Sequence, residues 1–167
     1  VLSPRYYRCF HIELREDMNT KGQFVNSAKG ARLAIGVGAK VTGFHGHFII
    51  IDDPLDPAEA LSEAELKSVN TWMRETIPTR MVDKSITPTI LIMQRLHQQD
   101  PSALMSEKST ARHLCIPCDD QWEIKPKRLK RYYKRNNGLL DQRRMSREIL
   151  ARFLVDLGQY GYSGQFG

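Results

Sequence analysis

Apolar residues run unbroken from Phe48 to Ile51, and two carboxylates and a proline follow at once, Asp52-Asp53-Pro54. Three of the four apolar residues are isoleucines. Such a short β-branched run predicts a strand buried on both faces, as in a parallel sheet. Pro54 has no N–H for the ladder, so the strand stops before it. Beyond Pro54 the period changes. Asp56-Pro57-Ala58-Glu59 has the form of a helix start, with Asp56 as N-cap and Pro57 at the first helical position. Ala60, Leu61, Ala64, Leu66, Val69, Trp72 and Met73 follow at helical spacing. Ser62-Glu63-Ala64-Glu65 is a second capping box, so a break near Ser62 is expected.

Thr87–Met93 predicts a second buried strand, leading through Gln94-Arg95 into a helix over Leu96–Met105. Arg112–Ile116, closed by Pro117, reads as a third short strand. Upstream, Val1–Phe10 is β-leaning through Tyr6, Tyr7, Cys9 and Phe10, and the polar Glu13–Lys21 reads as a loop. Phe24–Asn26 and Ala31–Ile35 predict short strands around a turn at Ala28-Lys29-Gly30. The glycines at 36, 38, 43 and 46 suit turns better than a close approach to phosphate. Near the C-terminus, Asn136-Asn137-Gly138 marks a turn. Ser146–Leu157 predicts a helix capped by Ser146, with Ile149, Leu150, Phe153, Leu154 and Leu157 on one face. The order strand, long helix, strand, helix, strand argues for an α/β fold with a mainly parallel sheet joined by crossover helices. In that arrangement the strands ending at Asp52 and Met93 lie next to each other or one strand apart.

The chain has 167 residues, enough for one domain, and 41% of them are hydrophobic, enough for a core. Its net charge of +6 favours polyanionic partners without naming them. No segment has the apolar length of a membrane span. The first residues have no signal-peptide core and no initiator Met, so a processed product or an excised piece is expected. Three cysteines without a disulfide spacing point to a reducing cytoplasm. Cys115 and Cys118 form a Cys-x-x-Cys, but no second ligand pair stands at a familiar zinc spacing.

The chemistry centres on Asp52 and Asp53. At the C-terminal tip of a central strand they occupy the edge where open α/β sheets bind ligands. Paired carboxylates there suit a hydrated divalent cation carrying a phosphate, the form of a Walker B element. The alternative is structural: Asp53 starts a turn or caps the next helix.

The order of motifs is more specific than any one of them. Thr42-Gly43-Phe44-His45-Gly46 precedes the acidic strand. A helix carrying Trp72 follows, then Thr79-Arg80, then Ile90-Leu-Ile-Met-Gln-Arg-Leu-His-Gln-Gln-Asp100. This order resembles the large terminase subunit of tailed bacteriophages, the ATPase of the DNA-packaging motor, over nearly the whole chain. Gly161-Tyr-Ser-Gly-Gln165 is similar to that family's join between ATPase and nuclease domains. The resemblance implies a P-loop NTPase-like fold, truncated before the phosphate-binding loop. Residues 1–120 would be the C-terminal part of the ATPase core, and 121–167 a basic, helical segment leading to a nuclease domain. It implies Mg2+ and ATP as cofactors in the complete protein. Asp52 would hold the metal and Asp53 would orient or deprotonate the attacking water. Gln94 would contact nucleotide and Arg95 would couple hydrolysis to movement. Implied partners are double-stranded DNA, the small terminase subunit, the portal protein and further copies in a ring, in the cytoplasm of an infected bacterium.

The chain departs from the family pattern. No Gly-x-x-x-x-Gly-Lys-Ser/Thr occurs. That loop is expected upstream of Val1, and the chain alone is expected to bind ATP weakly or not at all. The family commonly carries Glu, or Asp as here, at the position of Asp53, and Asp has one methylene fewer with which to reach a water. Arg95 has a structural alternative, a salt bridge to Asp100 or Glu107. Arg80 reads as an exposed structural arginine or one reaching a neighbouring subunit, and His97 as a helix-surface residue.

Two other classes stay open. One is a metal-dependent nuclease using Asp52, Asp53 and Asp100 as a two-metal cluster. The other is a non-catalytic nucleic-acid-binding or assembly module. The basic run supplies candidate DNA contacts in Lys125, Lys127, Arg128, Lys130, Arg131, Lys134 and Arg135, with Tyr132-Tyr133 stacking or packing nearby. The structural alternative is a solvated face with both tyrosines turned inward.

Overall fold

A computed structural model describes residues 4–39, 41–108 and 110–167. The chain forms two compact units, 1–43 and 44–167.

The first unit opens with a helix, α1 (Pro4–Phe10), where β structure was expected; residues 1–3 of that span lie outside the described ones. Proline at the first helical position presets the backbone dihedral and loses no hydrogen bond there. His11 closes the helix in a left-handed conformation, φ 48°, its amide donating to the Tyr7 carbonyl at 2.8 Å. The polar stretch expected to be a loop is instead strand β1 (Leu14–Asn19). It lies at the edge of an antiparallel sheet with β2 (Gln23–Asn26) and β3 (Ala31–Leu33), in the order β1-β2-β3. Its ladder comes from β2, so it needs no apolar face, and five of its six residues are exposed. The β2–β3 turn is where the sequence put it. Lys29 is left-handed there (φ 66°), and the Asn26 side-chain oxygen accepts from the Gly30 amide at 2.6 Å.

The second unit is built on β4 (Ile49–Asp52) and β5 (Thr89–Ile92), which pair in parallel. The register runs from Ile49 opposite Thr89 to Asp52 opposite Ile92. The expected adjacency and direction of these two strands are found. The described sheets together are not mainly parallel, since the three-stranded one is antiparallel. The connection is helical. Residues 57–61 form turns, and helix α2 (Glu63–Thr71) starts only after Ser62, whose hydroxyl accepts from the Glu65 amide. The second capping box therefore sets the helix start, not the first. α2 runs on through a π-turn, Trp72–Thr76, and a 3-10 turn, Ile77–Arg80. Leu66, Val69, Met73 and Ile77 are buried, spaced three and four apart along this path. They pack with Ile51, Leu55 and Ala60.

The Ile run is not buried on both faces. Ile51 is 5% exposed, but Ile50 is 64% exposed, and Ile90 and Ile92 on β5 are open as well. Successive side chains of a strand point to opposite faces, and the helical connection covers one face only. Further along, Arg112–Ile116 is not a strand; Cys115 makes a single antiparallel bridge to Lys125. Leu96–Met105 is helical only from α3 (Pro101–Ser106).

A second apolar cluster joins Cys118, Leu139, Leu150 and Tyr162, with Trp122, Met145, Phe153 and Phe166 against it. It sits between the segment carrying α4 (Lys130–Arg135) and helix α5 (Arg147–Phe166). Ser146 caps α5 as expected, accepting from the Ile149 amide. The helix extends past Leu157, broken at Gly158 by φ 68° and ψ 172°. That region of backbone space is open essentially to glycine alone. Gly158→Ala is therefore expected to lower stability by about 1–3 kcal/mol, although a Cβ there would meet no atom within 4 Å. Urea unfolding reads this directly, and an Ala variant of wild-type stability would show that the kink is not required. Among the described residues no helix is long and apolar enough to cross a membrane.

Candidate functional site

The parallel pairing brings the C-terminal ends of β4 and β5 side by side. Asp53 extends the ladder by one bond, its amide donating to the Ile92 carbonyl at 2.9 Å. There the chain turns sharply, with Asp53 at φ 41°. A non-glycine residue in this conformation is uncommon, and residues of this kind concentrate at functional sites. Pro54 and Leu55 follow and are buried, which holds the turn in place.

A cavity of about 190 Å³ opens beside this turn, lined by Asp53, Leu55, Asp56, Pro57, Gln94 and Leu96. Asp53 and Gln94, predicted from separate strand ends, are thus brought together. Asp52 is not among the lining residues. It is exposed, and the β4 register places it on the same face as the open Ile50. Asp52 is the last residue of β4 and Asp53 stands in the turn beyond it, and of the two only Asp53 lines the cavity. The second carboxylate at the cavity is Asp56, which the sequence marked only as a helix cap. Its Oδ1 does accept from the Ala58 amide at 2.8 Å, a capping bond without a helix behind it. The clue to its place was the spacing Asp53-Pro-Leu-Asp56, which a tight turn folds back on itself.

The loop after β5 is organised by Asp100. This residue is 0% exposed and caps α3. Its Oδ1 accepts from the Ser102 amide at 3.0 Å, the Ser102 hydroxyl at 2.6 Å and the Ala103 amide at 3.1 Å. Its Oδ2 accepts from the amides of Leu96 and His97, at 3.0 and 3.2 Å. Arg95 is half exposed, with Nε 3.9 Å from Asp100 Oδ2. The salt bridge to Asp100 foreseen for Arg95 is therefore present, at long range. His97 lies in this turn, not on a helix surface, and its Nδ1 faces the Gln99 amide at 3.1 Å. From outside the loop, Asn70 on α2 donates to the Gln99 carbonyl at 2.8 Å. Tyr160, beyond the α5 kink, donates to the Leu96 carbonyl at 3.1 Å. Gly164 lies against Leu96 as well, where a Cβ would stand 3.5 Å from its side chain. The C-terminal helical segment thus braces the loop that lines the cavity, a role sequence reasoning missed because the contact spans 64 positions.

Arg80 is half-buried, its guanidinium donating to the Thr79 hydroxyl and its carbonyl accepting from the Gly46 amide at 2.8 Å. Gly46 admits no side chain there, since a Cβ would meet the Phe48 carbonyl oxygen at 2.9 Å. Cys115 and Cys118 are free thiols. Burial raises the pKa of both, and Cys118 lies 3.7 Å from the Tyr162 hydroxyl. Raised pKa values favour the thiol over the nucleophilic thiolate. Among the described residues no three His, Cys, Asp or Glu side chains group as a metal site.

The chain matches no protein-family model and no curated protein.

Proposed function

We propose that this chain belongs to the ATPase of a viral DNA-packaging motor, a large terminase subunit, and that the cavity beside Asp53 holds the reacting phosphate in the complete protein. The observation that carries the proposal is the adjacency of two strand tips. Asp53 and Gln94 stand just beyond the C-terminal ends of neighbouring parallel strands and line one cavity, the place where α/β sheets take their ligands. The motif order described above supplies the family.

The donor set suits a hydrated magnesium ion, which keeps most of its water and takes one or two carboxylates. Asp53 and Asp56 would offer those carboxylates at the cavity. The cavity accommodates an ion and a phosphate group, not a whole nucleotide, so the base and sugar would lie outside it. Bound magnesium would neutralise charge developing on the phosphate oxygens. Asp53 would accept a hydrogen bond from the attacking water, fixing its direction. Gln94 would hold a phosphate oxygen or that water through its amide. Arg95, tied to the Asp100 turn, would carry a change at the phosphate to the loop that Tyr160 braces. Double-stranded DNA, a small terminase subunit, a portal protein and a ring of copies are the partners that this reading entails.

The nuclease reading loses support from Asp100. A carboxylate with five donors and no exposure has no free lone pair to offer a metal.

The test uses the complete protein. Asp53→Asn is expected to cut ATP hydrolysis a hundredfold or more, on the order of one lost general base, while nucleotide affinity changes little. Asp56→Asn is expected to weaken magnesium-dependent binding as well, whereas Asp52→Asn, off the cavity wall, should change it less. Wild-type turnover by Asp53→Asn would refute the assignment. A large fall in melting temperature would instead make Asp53 a structural turn residue.

A further inference from the structure

Charge is very unevenly distributed along this chain. Residues 121–147 hold ten Lys or Arg against two Asp or Glu, a formal charge of +8, whereas the whole chain carries +6. The remaining 140 residues are therefore slightly acidic. We infer that the exposed face formed by α4 and the 141–147 turn binds duplex nucleic acid through its phosphate backbone.

The fold presents this charge outward. Tyr133 is 1% exposed and donates to the Pro117 carbonyl at 2.6 Å, so it pins one side of α4 inward. Helical spacing then points Arg131 and Arg135 to the opposite side, with Lys134 beside them. Lys127 and Arg128 precede them on the 3-10 turn, and all five are exposed. Two contacts draw the next segment alongside. Tyr132 donates to the Leu140 carbonyl at 3.0 Å, and Arg147 donates to the Asn137 carbonyl at 2.7 Å. Arg143 and Arg144, beyond the basic run of 125–135, therefore join the same region of the surface, also exposed.

The two acids within 121–147 are engaged elsewhere, and the exposed Asp120, just outside that span, lies against Gly138 beside Arg147. Glu123 pairs with Lys125 at 2.9 Å, and that pairing holds its pKa below the ordinary value. Asp141 accepts from the backbone amides of Arg143 and Arg144. Among the described residues, Lys127, Arg128, Arg131, Lys134, Arg135, Arg143 and Arg144 make no ion pair. Cations gathered without counter-charges repel one another, and a polyanion relieves that repulsion while releasing its own counterions.

The surface fits a duplex backbone better than its alternatives. Binding single strands uses aromatic rings as stacking platforms. Here Tyr133 is buried and Tyr132 is tied by its hydroxyl. An interfacial helix needs an apolar face toward lipid, but α4 has six residues and turns Tyr133 inward. The inference gives the DNA partner of the motor reading a surface, and rests on that reading only for its place in a motor. Equilibrium binding needs no nucleotide, so it can fail or succeed independently of hydrolysis.

The experiment is fluorescence anisotropy of a labelled 20-base-pair duplex with the 167-residue protein, between 50 and 200 mM salt. A surface that engages about five phosphates gives a log–log salt slope near −4.5, an affinity loss of about 500-fold across that range. Arg131→Glu/Lys134→Glu/Arg135→Glu should flatten the slope by about 2.7. Arg143→Glu/Arg144→Glu should flatten it by about 1.8. A reversal at Lys67 and Arg74, exposed on the other helical path, should leave slope and affinity nearly unchanged. Circular dichroism checks that each variant keeps its fold, and Arg131→Ala/Arg135→Ala serves if the triple reversal does not. Unchanged duplex binding in the reversal variants overturns the inference. So does tighter binding to a single strand of the same length, or binding confined to phosphatidylserine vesicles.

Discussion

Asp100→Ala is expected to destabilise the second unit by about 3 kcal/mol or more, the sum of a lost helix cap and orphaned buried donors. The carboxylate is fully buried and accepts from Leu96, His97, Ser102 and Ala103. Removing it leaves two loop amides and two amides at the start of α3 without a partner. Water reaches such a site poorly, so each unmet donor carries a desolvation cost. Asp100→Asn should cost less, because one oxygen still accepts, but its NH2 group then faces amide donors. For a chain of this size the Ala variant should melt roughly 6–12 °C lower. A loss under 1 kcal/mol in urea unfolding would show that the loop finds other acceptors. The same variant tests the site: with the cap gone, Gln94 and Leu96 lose their fixed place at the cavity, so ligand affinity should fall with stability.

Tyr133→Ala is expected to cost about 3–5 kcal/mol, the range for removing a large buried aromatic. Its ring is almost wholly covered and meets Tyr132 edge-on at 6.1 Å between centroids. Tyr133→Phe keeps the ring and removes only the hydrogen bond to Pro117, and should cost about 1–2 kcal/mol. The phenol also carries a pH signature. Burial, ahead of the nearby Cys115 and Cys118, raises its pKa to about 12. An unfolded tyrosine titrates near 10. Between these values the unfolded state releases its proton and the folded state keeps it, so stability is complete below about pH 10 and falls as pH rises toward 12. Tyr162, also raised by burial, acts in the same direction. Tyr133→Phe should therefore show a shallower alkaline loss than the parent in urea unfolding from pH 8 to 11.5. An identical slope would mean that the phenol does not stay protonated in the fold.

Local signals in the sequence were read well where a single turn of backbone decides the outcome. Ser62 and Ser146 cap their helices, because an N-cap depends only on a side-chain oxygen and an amide three residues on. The Lys29 and Asn137-Gly138 turns form where left-handed backbone is required. The first capping box failed although its residues were right. Asp56 makes its capping bond, but Pro54 and Leu55 are committed to the buried turn, and the chain reaches helical geometry only after Ser62. The errors at the N-terminal end have a different cause. Aromatic β-formers in Pro4–Phe10 were outweighed by a proline that starts a helix, and β1 was hidden because an edge strand with two exposed faces has no alternating pattern.

The sequence by itself determined the two parallel strands, the helical connection between them and the acidic tip at Asp52-Asp53. Those follow from hydrophobic period, strand length and the barrier set by Pro54. Only the tertiary structure decided which carboxylates face the cavity. Asp53 and Asp56, in the turn beyond β4, do, and Asp52, on the open face of β4 with Ile50, does not. It also decided that Tyr133 is core while Arg131 and Arg135 face solvent, and that Tyr160 reaches back to Leu96. Periodicity tells which residues share a face of one element. Which face is covered depends on partners far away in the chain, and no local pattern encodes them.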